Sequence, residues 1–294
     1  MKAIRLEVVN LRAVKSAEVT LERGINILYG PNASGKSTII HALLATMGIV
    51  DSDLLGRLRL SGDAEVTVST GSAYVKFSGE KYSCRSREEG GVIEGSFDEV
   101  RSCLQEFWES AGVRTVGYMW GDNLKVYNVA GSKVMVEGGR SIELNVWDLK
   151  RWKKLTMLPQ VFDGVLEDIR DLTDVSYLHA GYARRKGTWT PIELLGYGER
   201  RAIALMLASK YSDLIIVEGF EAGLHADLAV YLLNKLSDKN VIVETHMGVL
   251  LSNALENKWK AYYVYEGKAE EVTRENILSL AKNELELYTI AGGV

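Results

Sequence analysis

Apolar and polar residues alternate through the first segments of the chain. Ala3-Ile4-Arg5-Leu6-Glu7-Val8-Val9 and Ala17-Glu18-Val19-Thr20-Leu21 gather apolar side chains on one face, the period-two pattern of a half-buried strand. After Gly24, Ile25-Asn26-Ile27-Leu28-Tyr29 is an apolar run of buried-strand length. From Ser37 to Met47 the spacing changes, and Ile39, Ile40, Leu43, Leu44 and Met47 recur at helical intervals. The pattern predicts strand, glycine-rich loop and helix in that order.

Residues 60–150 read differently. Short alternating segments recur at Ala64–Val68, Ala73–Phe77, Lys125–Tyr127, Lys133–Val136 and Ile142–Val146, punctuated by Gly90-Gly91 and Gly138-Gly139. They predict antiparallel sheet interrupted by one helix near Phe97–Ser110. Another helix is expected over 161–172. From Pro191 onward, Leu214–Val217 and Val241–Val243 are buried-strand runs flanking a helical Leu228–Leu236. That alternation predicts parallel β/α units. No heptad pattern is sustained and no internal repeat is visible.

The chain has 294 residues, 47% of them hydrophobic and 25% charged, with a formal net charge of −4. This is the profile of a globular chain of one or two domains. No apolar run approaches the roughly 18 residues that cross a bilayer, so no membrane association is expected. The start of the chain lacks the apolar stretch of a signal peptide. Cys84 and Cys103 are the only cysteines, so a disulfide scaffold is not expected and a reducing cytoplasm is the expected setting. The acidic balance argues against non-specific nucleic-acid binding by the whole surface, though not by a local patch.

Four segments carry chemistry. Gly30-Pro31-Asn32-Ala33-Ser34-Gly35-Lys36-Ser37-Thr38 matches the phosphate-loop pattern in full and sits between a predicted strand and a predicted helix. Its glycines let backbone N–H groups turn toward an anion, and the helix adds its positive end. Lys36 is placed to reach the β- and γ-phosphates of ATP, and Ser37 to offer its hydroxyl to Mg²⁺. Leu214-Ile215-Ile216-Val217-Glu218 reads as a buried strand delivering one acid to a cleft, or as a strand ending in a solvated glutamate. Val241-Ile242-Val243-Glu244-Thr245-His246 ends with a histidine at the edge where open α/β sheets bind ligands, although a lone histidine is commonly structural. Gly196-Tyr197-Gly198-Glu199 opens a helix and forms an anion-facing terminus, a pattern that is weak alone.

Taken in order, these segments resemble the SMC, RecF and OLD-type ABC ATPases. The start, Leu6–Arg12 followed by Gly24–Asn32, is similar to the N-terminus of that family. Leu195–Glu199 resembles its signature motif. Glu218-Gly219-Phe220-Glu221-Ala222-Gly223-Leu224-His225 resembles its Walker B and D-loop, and Glu244-Thr245-His246 its switch-histidine segment. The resemblance implies an α/β fold: a P-loop NTPase head of ABC type, with an N-terminal antiparallel β-subdomain and a parallel-sheet core. It covers residues 1–48 and 190–265, expected to be the nucleotide-binding core of a single 1–294 domain. Residues 60–150 are expected to be an inserted β-rich subdomain. The lack of heptads points to a head without coiled-coil arms.

The resemblance also implies site residues. Gly30, Asn32, Ala33, Ser34, Gly35, Lys36, Ser37 and Thr38 would bind ATP, with Arg12 approaching the nucleotide. Gly196, Gly198 and Glu199 would face the γ-phosphate held by a second copy, so that ATP closes a head-to-tail homodimer. Ser37, Glu218 and Gln160 would attend Mg²⁺, and Glu218, His246 and Glu221 would serve hydrolysis. Three departures stand out: Gly196 replaces the usual serine, Glu218 the usual aspartate, and Gly219 the usual catalytic glutamate. Slow hydrolysis follows from the last.

Two functions stay open at this point. One is a dimerising ATPase of DNA repair, genome maintenance or defence, working with a partner such as a nuclease. The other is a nucleotide-sensing module that regulates a partner protein with little hydrolysis. For DNA, the segment Trp147–Lys154 offers Lys150, Arg151, Lys153 and Lys154 to phosphates and Trp152 to a base, or else forms a helix with a basic face and a packed tryptophan. Arg184-Arg185-Lys186 reads as a phosphate contact or a solvated charge run.

Overall fold

The computed structural model describes residues 1–49, 63–78, 81–86, 91–131, 133–136 and 140–280. Gly90, Gly138 and Gly139, read above as punctuation, lie outside them. The chain begins with a hairpin of β1 (Ile4–Leu11) and β2 (Val14–Leu21), whose inward residues match the alternation. The wholly buried β3 (Ile25–Tyr29) leads into α1 (Lys36–Thr46), of which every residue except Ser37 is buried. Next come β4 (Glu65–Thr70), β5 (Ala73–Ser78), β6 (Lys81–Arg85), β7 (Ile93–Gly95) and α2 (Phe97–Ser110), which opens on a Ser96–Glu99 capping box. There follow β8 (Thr115–Trp120), β9 (Asn123–Asn128), β10 (Met135–Val136), β11 (Arg140–Ser141), β12 (Glu143–Asn145), α3 (Leu149–Thr156) and α4 (Leu166–Thr173). A small meander of β13 (Val175–His179), β14 (Tyr182–Arg185) and β15 (Thr188–Pro191) precedes α5 (Tyr197–Tyr211). The chain then alternates through β16 (Leu214–Val217), α6 (Ala226–Lys235), β17 (Asn240–Thr245), α7 (Gly248–Asn257), β18 (Lys260–Tyr265) and β19 (Lys268–Glu271).

An eight-stranded sheet runs in the order β12-β9-β8-β16-β17-β3-β18-β19, its five central strands parallel. It is covered on both faces, so its strands read as continuous apolar runs. Ile27, Val217 and Val243 point into one core with α5, α6 and α7. Leu28, Ile216 and Ile242 point into a second core with α1 and the six-stranded sheet β2-β1-β4-β5-β6-β7. The stretch 60–150, expected to be one inserted unit, divides between two sheets. Strands β4 to β7 extend the β1–β2 hairpin, while β8 joins the main sheet parallel to β16. The sequence pattern missed β8 because Thr115–Trp120 is buried on both faces and shows little alternation.

Cys84 on β6 and Cys103 on α2 form a disulfide, against the expectation that no disulfide is present and against the reducing setting inferred from it. The cause is tertiary, since α2 packs across β6 and brings the two Cα atoms to 6.1 Å. Among the described residues no helix is long and apolar enough to cross a membrane.

Candidate functional site

The parallel strands β3, β16 and β17 end at one edge of the sheet, and their C-terminal residues build the site. Strand alternation decides which face each side chain takes. Glu218 follows Val217, and Glu244 follows Val243. Both carboxylates therefore emerge on the α1 face, and the in-register pairing Val217↔Val243 sets them side by side. Ser37 and His41 are four residues apart on α1, hence on one helix face. Ser37 Oγ donates to Glu244, lying 2.9 Å from Oε2 and 3.1 Å from Oε1, and His41 Nε2 lies 2.8 Å from Glu218 Oε1. The Tyr118 hydroxyl, from β8, donates to the same Glu218 oxygen.

The loop before α1 wraps a lysine. Lys36 Nζ donates to the carbonyls of Gly30 and Pro31 at 2.8 and 2.7 Å and lies 3.8 Å from Glu244 Oε1. Burial lowers the Lys36 pKa, while Glu244 and Glu221 act to raise it. Burial raises the Glu244 pKa and the neighbouring Glu218 adds to this, against the Ser37 hydrogen bond and Lys36. Two glycines are required sterically. A Cβ on Gly30 would sit 2.1 Å from the Val264 carbonyl oxygen, and one on Gly35 2.8 Å from Val14, at φ angles of 151° and 113°. Arg12, Ala33, Ser34, Gly35, Lys36, Ser37, Thr38 and Glu244 line a pocket of about 300 Å³, so the structure joins Arg12 to the phosphate loop. Asn32 is exposed on the same loop.

His246 and Glu221 meet beside the loop. His246 Nδ1 lies 2.8 Å from the Gly30 carbonyl, which calls for a proton on that nitrogen, and the His246 backbone N–H donates to Glu221 Oε1 at 2.9 Å. The other Glu221 oxygen is buried without a hydrogen-bond partner. Gly219 has φ +57°, and a Cβ there would meet nothing within 4 Å.

The glycine-rich opening of α5 stands apart from this pocket. Glu199 caps its own helix by accepting from the Gly196 N–H at 2.7 Å, and it pairs with Arg185 at 3.1 Å. Gly198 packs where a Cβ would lie 2.5 Å from the Gly223 carbonyl oxygen. The wholly buried Arg201 donates to the carbonyls of Gly121 and Gly219 at 2.5 and 2.8 Å, keying α5 to the ends of β8 and β16. Tyr197 stacks on Trp147 at 5.1 Å and donates its hydroxyl to Asp122. Gly196 remains exposed.

Two expectations fail on geometry. Gln160 is not brought to the phosphate loop. Its carbonyl accepts from Lys210 at 2.9 Å, near the last turn of α5 and four residues before β16 begins, which is the opposite edge of the parallel sheet. Trp152 cannot stack on a base, because it is 0% exposed and donates Nε1–H to the Val146 carbonyl. Arg151 is held by Glu143 and Asp148, Arg185 by Glu199 and Asp174, and Lys186 by Asp174. Conversely, the sequence pattern gave no role to Glu244, Tyr118 or His41. For Glu244 a signal existed: Val-Ile-Val-Glu repeats the apolar-run-then-acid pattern of Glu218.

The oxygen donors fit a hard divalent cation. Ser37, Glu218 and Glu244 offer hydroxyl and carboxylate oxygens beside a buried lysine, the donor chemistry that suits Mg²⁺ held with a phosphate ligand. A family model, AAA_23, described as an AAA domain, matches residues 5–115. The SMC head domain from Thermotoga maritima superposes with a TM-score of 0.53 at 16% identity, covering 92% of this chain and 98% of the other. An SmcHead bound to the C-winged helix domain of ScpA gives a TM-score of 0.56 at 14% identity, covering 95% and 100%. The Smc head domain with an extended coiled coil bound to the C-terminal domain of ScpA, derived from Pyrococcus furiosus, gives 0.52 at 12%, covering 96% and 99%. The chain has the fold of the SMC head domains. No curated protein sequence matches the chain. In this chain the phosphate loop and the two acid-bearing strands share one sheet edge.

Proposed function

We propose that this protein binds ATP with Mg²⁺ in the Arg12–Lys36–Glu244 pocket and acts as an ATP-dependent dimerisation switch that hydrolyses ATP slowly. The observation that carries the reading is the convergence of Lys36, Ser37 and Glu244 on one pocket, with His246 beside Lys36 and Glu218 beside His41 next to it. Mg²⁺ bound with ATP would neutralise charge on the β- and γ-phosphates. Lys36 would turn from the Gly30 and Pro31 carbonyls to the phosphates, and Arg12 would face them from the β1–β2 turn. His246 would remain braced by Glu221 beside Gly30.

Dimerisation is supported by the exposed Gly196 end of α5, which lies outside the chain's own pocket. Light scattering should give a monomer mass without nucleotide or with ADP, and about twice that mass with Mg²⁺ and a non-hydrolysable ATP analogue. A monomer under every nucleotide condition rejects the switch.

The pathway in this reading is DNA repair, genome maintenance or defence, with a partner protein such as a nuclease. The similar heads carry ScpA as partner, which supports a protein-docking role. DNA would meet the lysines Lys150 and Lys153 beside Gly181 and Tyr182. Phosphate contacts release counterions, so the slope of log affinity against log salt should shrink by about 0.9 for each phosphate no longer neutralised. Lys150→Glu with Lys153→Glu should therefore weaken DNA binding about tenfold at low salt and flatten that slope. Affinity unchanged by both substitutions, in an electrophoretic shift assay with ATP, removes this face as the DNA contact.

A further inference from the structure

We propose that Glu244, and not Glu218 alone, supplies the negative charge that supports a divalent cation bound by Ser37. The inference rests on the ATP-Mg²⁺ reading of the pocket and concerns one residue to which the family resemblance assigns no such role. Glu244 sits at the end of β17, between the strand that leads into the phosphate loop and the strand that ends at Glu218. It is 7% exposed, and both of its oxygens lie within hydrogen-bond reach of Ser37 Oγ. A hydroxyl that ligates a cation through its lone pairs must give its proton elsewhere, and Glu244 accepts that proton. The same carboxylate lines the pocket and stands 3.8 Å from the Lys36 ammonium, so its charge acts where the phosphates and cation would meet.

Glu218 is differently placed. Its Oε1 accepts from the Tyr118 hydroxyl and faces His41 Nε2, and Glu218 does not line the pocket. The His41 and Tyr118 contacts turn Oε1 of Glu218 to residues outside the pocket, while Glu244 presents its carboxylate to Ser37 within it. The longer arm of a glutamate at 218, where the resembling family carries aspartate, reaches His41 one helical turn beyond Ser37.

The quantity to measure is the factor by which Mn²⁺ tightens the binding of a labelled, non-hydrolysable ATP analogue to the full chain, relative to EDTA. Glu244→Gln keeps the size of the side chain and an oxygen that can accept from Ser37, and removes only the charge. The factor should fall at least tenfold, within the 10–100-fold range typical of groups that support a metal ligand. Affinity in EDTA should be unchanged or higher, because a negative charge near the phosphates is gone. Glu244→Asp, which keeps the charge, should retain part of the factor. A Glu244→Gln chain whose Mn²⁺ factor equals that of the wild type overturns the proposal, as does an aspartate variant that loses as much as the glutamine one, since size rather than charge would then govern the site. A wild-type chain that binds the analogue in neither condition rejects the nucleotide site itself, an outcome distinct from a wild type that binds with Mn²⁺ and a variant that does so equally well.

Discussion

Lys36→Ala is expected to lower ATP affinity by at least about 100-fold, the scale of two charge-assisted hydrogen bonds removed from a phosphate group. Lys36 is a buried cation, 3% exposed, whose ammonium already has two acceptors in the loop carbonyls of Gly30 and Pro31. Those carbonyls hold it within the loop, so that phosphate oxygens replace them at little conformational cost. Removing it also leaves Glu244 with its nearest cation gone, and an unpaired buried charge is destabilising. Stability and affinity must therefore be separated. Titration of a labelled nucleotide against wild type, Lys36→Ala and the double variant Lys36→Ala with Glu244→Gln does this, because the double variant relieves the uncompensated carboxylate without restoring the phosphate contact. Equal affinity in wild type and the single variant would refute the phosphate-loop assignment.

Gly219→Glu is expected to raise steady-state phosphate release by about 10²-fold, the lower end of what a positioned general base contributes. At the end of β16, the position after Glu218 carries no side chain, so no carboxylate there can orient water. The structure leaves room for one, since a Cβ on Gly219 meets nothing within 4 Å. The φ of +57° costs a non-glycine residue roughly 1–2 kcal/mol of stability, small beside the expected gain in rate. Glu221 is a poor substitute in this arrangement. One of its oxygens braces the His246 backbone N–H at 2.9 Å, and the other is buried. Glu221→Gln should thus lower turnover mainly by loosening the His246 segment, and His246→Ala should lower what remains. A brisk wild-type rate that collapses in Glu221→Gln yet survives in His246→Ala would make Glu221 the catalytic carboxylate instead.

Both expectations draw on features that are unevenly legible along the chain. The residues alone identify the strand–loop–helix unit at Ile25–Thr46. There, local chemistry suffices: a glycine pair that tolerates positive φ, an apolar strand before it and a helix after it that is buried but for Ser37. They also identify the order of the motif segments and the parallel β/α alternation after Pro191, because a doubly covered sheet must be built from continuous apolar runs. Helix α2 was legible near its observed span, since its apolar residues recur at helical spacing between the strand-like segments.

The remaining features come from contacts between distant parts of the chain. The β-rich middle divides between two sheets because β8 finds its partner in β16, nearly a hundred residues away, and no local pattern encodes that pairing. Cys84 and Cys103 bond because α2 crosses β6. Gln160 and Trp152 carry suggestive neighbours in the sequence, yet packing sends one to the far edge of the sheet and buries the other. Glu244 is the sharpest case. Its place beside Ser37 depends on three strands in register and on the face that alternation gives each residue at the sheet edge. Neither is visible until β3, β16 and β17 are laid next to one another under α1.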